Sequence, residues 1–182
     1  MRPGAISREN LMDYFPASGG KFYFSYDHGP VHFIVLDSGE DKPDLHPVYA
    51  GIVDFDRYRD EQAKWLKNDV QSPAFQNALY KIVLFHIPPF LNSDWHGPQD
   101  VTERWGPILN ESDIDLVISG HTHEYAFKKP ARDKNAFPIV ILDQEMLLTV
   151  DVSTKQLTLK ITEANGEVVA PFTIQPEETI RH

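Results

Sequence analysis

Three short apolar runs, two of them leading directly into a histidine or a Gly-His pair, constrain this chain more than anything else in it. They are Val31-His32-Phe33-Ile34-Val35-Leu36, Ile82-Val83-Leu84-Phe85 ahead of His86, and Ile114 to Ser119 ahead of Gly120-His121. The first run is nearly continuous in apolar residues, as a strand covered on both faces must be. Between the first two runs, Arg57 to Val70 places Tyr58, Gln62, Trp65, Leu66 and Val70 at helical spacing. Between the second and third, Asp100-Val101-Thr102-Glu103 has the form of a helix start, with Val101, Trp105, Ile108 and Leu109 as the apolar face. Strand, helix, strand, helix, strand, followed by a run of strands, implies a layered α/β fold.

The remaining signals fill in that frame. Phe22 to Tyr26 and the first apolar run read as a hairpin joined by Asp27-His28-Gly29-Pro30. Gly39 to Ile52 is an acidic, Pro- and Gly-containing loop, and Asp54 or Asp56 is the expected cap of the following helix. Pro88 and Pro89 stop the second apolar run, and Pro107 is expected to kink its helix or begin a second one. Beyond Tyr125, Ile139 to Leu142, Met146 to Val152, Leu157 to Ile161 and Val168 to Ile174 read as an antiparallel meander. Asn165-Gly166 is the strongest of its hairpin signals.

With 182 residues, 41% hydrophobic and 24% charged, the chain fits one soluble domain, taken here as 1–182. No apolar run reaches bilayer length, and the start does not read as a signal peptide. With no cysteine, any metal must be held by His, Asp, Glu or Asn. A formal charge of −10 argues against a nucleic-acid-binding surface. It would also repel a phosphate substrate unless bound cations reverse the local field.

Three of the eight histidines share one placement: His86 ends one buried strand, and His121 and His123 follow the end of another. Ligands of open α/β sheets bind where strands finish at their carboxyl ends. Parallel neighbours would therefore bring all three imidazoles to one rim. An extended His-x-His is expected to project both rings to the same side, with Gly120 letting the backbone turn into place. Neutral imidazole is the commonest ligand for zinc and similar ions. His96, in the loop after the His86 strand, is a candidate contact to substrate phosphate. His32 reads as a hydrogen-bonded core residue, and His28, His46 and His182 as turn, loop and terminal residues.

At Phe85-His86-Ile87-Pro88-Pro89, Ser119-Gly120-His121-Thr122-His123-Glu124-Tyr125 and the block Tyr23 to Ser38, the chain resembles the calcineurin-like metallophosphoesterases, in particular their purple acid phosphatase-like branch. The similarity runs from about Tyr14 to about Tyr125, leaving 126–182 as closing antiparallel strands. It implies the C-terminal portion of an αββα architecture, a β-sandwich flanked by helices. It also implies phosphoester hydrolysis by a dinuclear centre of Zn, Mn or Fe. By carry-over, His86 and His121 would bind one ion and His123 the other. The family's Asp-x-His, Gly-Asp and Gly-Asn-His motifs do not occur upstream of Tyr23. They would supply the bridging aspartate, the asparagine and the first-metal ligands.

Two expectations follow. Either this is the second half of a phosphoesterase site, inactive alone, or it is a non-catalytic binding module that keeps a degenerate half-site. An uncovered sheet edge would favour self-pairing into a homo-oligomer. By family analogy an intact parent would be secreted or periplasmic.

Overall fold

The computed structural model describes residues 21–176; His182 and the Tyr14 end of the resemblance lie outside them. Six strands form one sheet: β1 (Phe24–His28), β2 (Val31–Val35), β3 (Tyr80–Leu84), β4 (Leu116–Ser119), β5 (Ala126–Lys128) and β6 (Ile139–Ile141), in the order β1-β2-β3-β4-β6-β5. The four inner strands β2, β3, β4 and β6 are mutually parallel, and β1 and β5 pair antiparallel at the edges. A second, antiparallel sheet holds β7 (Met146–Val152), β8 (Leu157–Glu163) and β9 (Val168–Ile174). The helices are α1 (Phe55–Asp69), the short α2 (Pro73–Asn77) and α3 (His96–Asn110), with a 3-10 turn at Pro47–Tyr49.

Alternation along the parallel strands explains the layering. Ile34, Val83, Val117 and Ile139 face the helices, where Leu66 and Val70 of the α1 end and Val101, Trp105, Ile108 and Leu109 of α3 meet them. Val31, Tyr80, Ile82, Leu116 and Val140 point the other way, onto Leu157, Leu159 and Ile161 of β8. The central sheet is therefore buried on both faces, by helices on one side and by a second sheet on the other. That is the expected α/β fold with a β-sandwich flanked by helices.

Several local expectations need correction. Ile139–Ile141 is parallel to β4 within the large sheet and does not join the antiparallel meander, which begins at Met146. Asp54 holds the N-cap position of α1, as one of the two expectations had it, but makes no side-chain cap bond. Asp44 provides it, its carboxylate accepting from the N–H groups of Phe55 (2.8 Å) and Asp56 (3.1 Å). Helix α3 begins at His96, four residues before the capping signature at Asp100. The N–H of Gly97 donates to Asp41 O (2.8 Å), and Pro98 in the first turn has no donor to satisfy. Asp100 is buried and ion-paired instead of capping. Pro107 neither ends nor divides the helix, which continues to Asn110. The carbonyl it deprives belongs to Glu103, an exposed residue that water can serve.

Trp105 binds the layers together. It is fully buried, donates from Nε1 to Arg59 O on α1 (3.1 Å), and stands edge-on to Phe85 at 5.4 Å and 89°. Trp105→Ala is expected to lower unfolding free energy by about 3–5 kcal/mol in urea titration. A loss below about 1 kcal/mol would show that the residue is not at the core of the helix–sheet interface.

Candidate metal centre

Because β2, β3, β4 and β6 are parallel, their carboxyl ends lie on one rim, and backbone bonds hold the tips together beyond the last strand residues. Leu36 N donates to Leu84 O (2.9 Å), Gly120 N to His86 O (3.1 Å) and Leu142 N to Ser119 O (2.9 Å). The β3–β4 ladder thus fixes the main chain of His86 directly beside that of Gly120, and His121 follows at once.

His86 Nε2 and His121 Nδ1 lie 3.3 Å apart, with ring centroids at 5.1 Å and ring planes at 89°. In the free molecule one ring donates its N–H to the other. The same spacing suits a shared ion: two nitrogens each about 2.0–2.1 Å from one tetrahedral cation stand about 3.3–3.4 Å apart. The spacing of the two nitrogens is therefore compatible with a borderline cation such as zinc.

The local geometry differs from the extended His-x-His expected from the sequence. His121 has φ +73° and His123 φ +56°, both in the left-handed region. Thr122 N donates to Gly120 O (2.9 Å), closing a three-residue turn centred on His121. The turn is therefore made by the histidines and not by Gly120, whose φ is not positive. A Cβ at Gly120 would meet His86 Nδ1 at 3.6 Å, an ordinary contact. Left-handed non-glycine residues cost on the order of 1–3 kcal/mol each and gather at functional sites.

His123 is exposed, and its charge reaches His86, but the three imidazoles do not close into one three-nitrogen pocket. Among the described residues, three ligand atoms within 4.8 Å of one another occur at Asp56, His96 and Asp100. That cluster already has its cations. Arg59 Nη1 lies 3.1 Å from Asp56 and 3.2 Å from Asp100, and Arg104 Nε lies 2.6 Å from Asp100. A metal ion there would compete with a fully buried guanidinium. His96 belongs to this cluster. It opens α3 instead of lying in a loop, and its Nε2 is 2.6 Å from Asp56 Oδ1.

The other described histidines have structural partners. His32 is buried between Asp27 (2.6 Å) and Asp69 (3.2 Å), as a core histidine should be. His46 accepts from Val48 N at the 3-10 turn, and His28 closes β1. Sequence reasoning missed the Arg59 network, because an arginine on a charged helix gives no sign of being buried.

The His86 imidazole titrates below the ordinary histidine value. Partial burial of the ring is the main cause, the neighbouring His121 and His123 add to it, and the carboxylate of Glu40 opposes it. The neutral form is thereby favoured, and that is the form that binds metal.

A family model described as calcineurin-like phosphoesterase matches residues 5–125. Purple acid phosphatase 18 of Arabidopsis thaliana is 30% identical over 123 residues, covering 66% of this chain and 25% of the relative. Purple acid phosphatase 22 of the same plant is 27% identical over the same extent. The chain thus spans about a quarter of the length of the curated relatives it matches. Among solved structures, a purple acid phosphatase from yellow lupin seeds superposes with TM-score 0.58 at 15% identity, covering 86% of this chain and 33% of that one. GAP50, the anchor in the inner membrane complex of Plasmodium, gives 0.54 at 12% identity, covering 86% and 54%. At those identities the two structures show a shared fold.

In the metal-free chain, two-dimensional NMR titration should place His86 below the ordinary histidine pKa, and His121→Ala should move it upward. The unfolded chain then binds more protons than the folded one between the depressed and the ordinary value. This group's contribution to stability therefore falls as pH drops through that window. A His86 that titrates at or above the ordinary value would contradict the partial burial of its ring and its closeness to His121.

Proposed function

The chain belongs to the calcineurin-like phosphoesterase family, and from that premise we propose that His86, His121 and His123 form the second half of a dinuclear phosphoester-hydrolysing site. The 3.3 Å spacing of His86 Nε2 and His121 Nδ1 carries this reading, since it matches the bite of two ligands on one ion. His123, left-handed and exposed on the same loop, is assigned to the second ion.

When bound, a pair of such cations supplies a hydroxide near neutral pH and neutralises the phosphoryl oxygens during in-line attack. The chain's own contribution is positional. The β3–β4 ladder fixes the main chain of His86 next to Gly120, and the turn at His121 holds its Nδ1 toward His86. Depression of the His86 pKa keeps that ring unprotonated, and so available as a ligand, to lower pH than a free histidine. His96 would meet a phosphate oxygen only by giving up its 2.6 Å bond to Asp56.

Three imidazoles supply no bridging carboxylate, so this chain alone is proposed to bind one ion loosely and to be inactive. Zn, Mn or Fe are the metals to test. The shared fold with GAP50, an anchor in the inner membrane complex of Plasmodium, is the reason to keep a non-catalytic binding module as the second reading.

Metal analysis after dialysis and an aryl phosphate assay with added Zn, Mn or Fe test the proposal. At most one weakly held ion per chain and no turnover are expected, with His86→Ala or His121→Ala abolishing the weak binding. Two tightly held ions, or metal-dependent hydrolysis by the chain, would sink the half-site assignment. Binding that survives both alanine variants would remove these histidines from the site.

A further inference from the structure

We infer that β7 is a strand-addition edge, and that its partner is β7 of a second copy of this chain, paired antiparallel about Thr149. The inference uses the second sheet alone and does not depend on a metal ion at the histidine rim.

The two sheets end in the strands β1, β5, β7 and β9. An edge strand offers backbone N–H and C=O groups to any other strand, and proteins blunt such edges by shortness, proline, bulges or charge. Strand β5 has three residues. Strand β9 includes Pro171, which has no N–H to offer, and its ladder to β8 shifts register at Ile161/Thr162. Strand β1 ends in Asp27-His28, with Asp27 turned onto His32. Strand β7 has seven residues, no proline or glycine, a regular ladder to β8 over its whole length, and one charge, at Asp151. Among the described residues only β8 pairs with it. Of the four edges, this is the one without protection.

Alternation divides its side chains between two faces. Met146, Leu148, Val150 and Val152 pack toward the large sheet, and Leu147, Thr149 and Asp151 are exposed on the other side. On β8 the inward row of Leu157, Leu159 and Ile161 is fully buried. The same row on β7 is only half-buried, because no described strand lies along its outer flank. The opposite edge differs: Phe172 of β9 is covered by Phe127 of the large sheet, with ring centroids 4.6 Å apart.

A strand that completes this edge must match seven residues and bring an apolar side chain to the inward face at every second position. Strand β7 of another copy does both. A two-fold axis through Thr149, normal to the sheet, aligns all seven residues. It sets Met146 against the partner's Val152 and Leu148 against the partner's Val150, apolar against apolar on the inward face. Asp151 then falls opposite the partner's Leu147, so like charges do not meet directly although each copy carries a net charge of −10. A slip by one residue would oppose inward to outward side chains and lose the match. The product is one continuous sheet with an isologous interface.

The test is sedimentation equilibrium of the whole chain. Thr149→Lys and Thr149→Glu each change an exposed residue and leave the apolar row intact. Across the axis each would set two like charges about 4.5–5.5 Å apart at Cβ, and each is expected to weaken self-association about fivefold. An equimolar mixture of the two variants should restore it, and Thr173→Lys, exposed on β9, should leave it unchanged. The mixture separates pairing from misfolding, because Lys160 lies opposite Thr149 within each chain whichever partner is present. A wild-type chain that stays monomeric up to its solubility limit overturns the inference. So does association that both variants retain, or a mixture that associates no more tightly than either variant alone. A monomer in which every β7 amide resists hydrogen exchange would assign the edge to another segment of the chain and overturn it as well.

Discussion

The parallel pairing of β3 with β4 is the interaction on which the candidate site depends. Its last bond, from Gly120 N to His86 O, sets two residues from distant parts of the sequence side by side. A slip of one residue in that register would move every side chain of one strand to the opposite face. Either Val83 or Val117, whichever strand slips, would then exchange the helix layer for the second sheet, and His86 would no longer face His121. Site geometry and core packing are consequences of the same alignment. A substitution that loosens the core between β3, β4 and α3 would therefore be felt at the imidazoles.

Beneath that rim lies a group of charges that the chain's composition conceals. Arg59 is buried among Asp56, Asp100, the Ser38 and Glu40 carbonyls and, through Asp100, Arg104. Such a cation is tolerable only because each of its donors has a partner. It joins α1, α3 and the loop after β2, where an apolar residue of similar volume could pack but could not hold two carbonyls at fixed positions. The rim itself is dominated by imidazoles, so its field depends on their protonation and on any ion they hold.

What the sequence made legible follows from how locally each feature is encoded. Strands buried on both faces announce themselves as nearly unbroken apolar runs, so Val31–Leu36 and Ile82–Phe85 could be placed, and His86 at the end of the second with them. The three-residue β5 and β6 are too short for periodicity to mean anything, and the parallel pairing of Ile139–Ile141 with β4 is a tertiary fact. The side-chain bonds to the first N–H groups of α1 come from Asp44, earlier in the loop, and not from the local N-cap residue Asp54, so no local pattern could point to them. His96-Gly97-Pro98 reads as a loop because Gly and Pro are poor helix formers, yet Asp41 satisfies the Gly97 donor and Pro98 needs no partner in a first turn. Asp100 mimicked a cap because the pattern Asp-Val-Thr-Glu does not reveal that Arg59 will claim its carboxylate.

The conformation of His121 and His123 is the point at which the structure departs from the extended His-x-His expected from the sequence. Alternation along an extended segment would have sent both rings to one side. The chain instead makes a tight turn centred on His121, followed by a second left-handed residue at His123. Nothing local favours this: histidine gains little from positive φ, and the adjacent glycine does not use its freedom. The strain persists because the strand ends anchor it, through Gly120 N on His86 O before the turn and the β5–β6 pairing after it. In this arrangement His121 Nδ1 is turned back toward β3 while His123 is released outward, so one short loop can address two different points in space. An extended loop could not separate the two neighbouring rings in this way, which is the physical consequence of the strained turn at the candidate site.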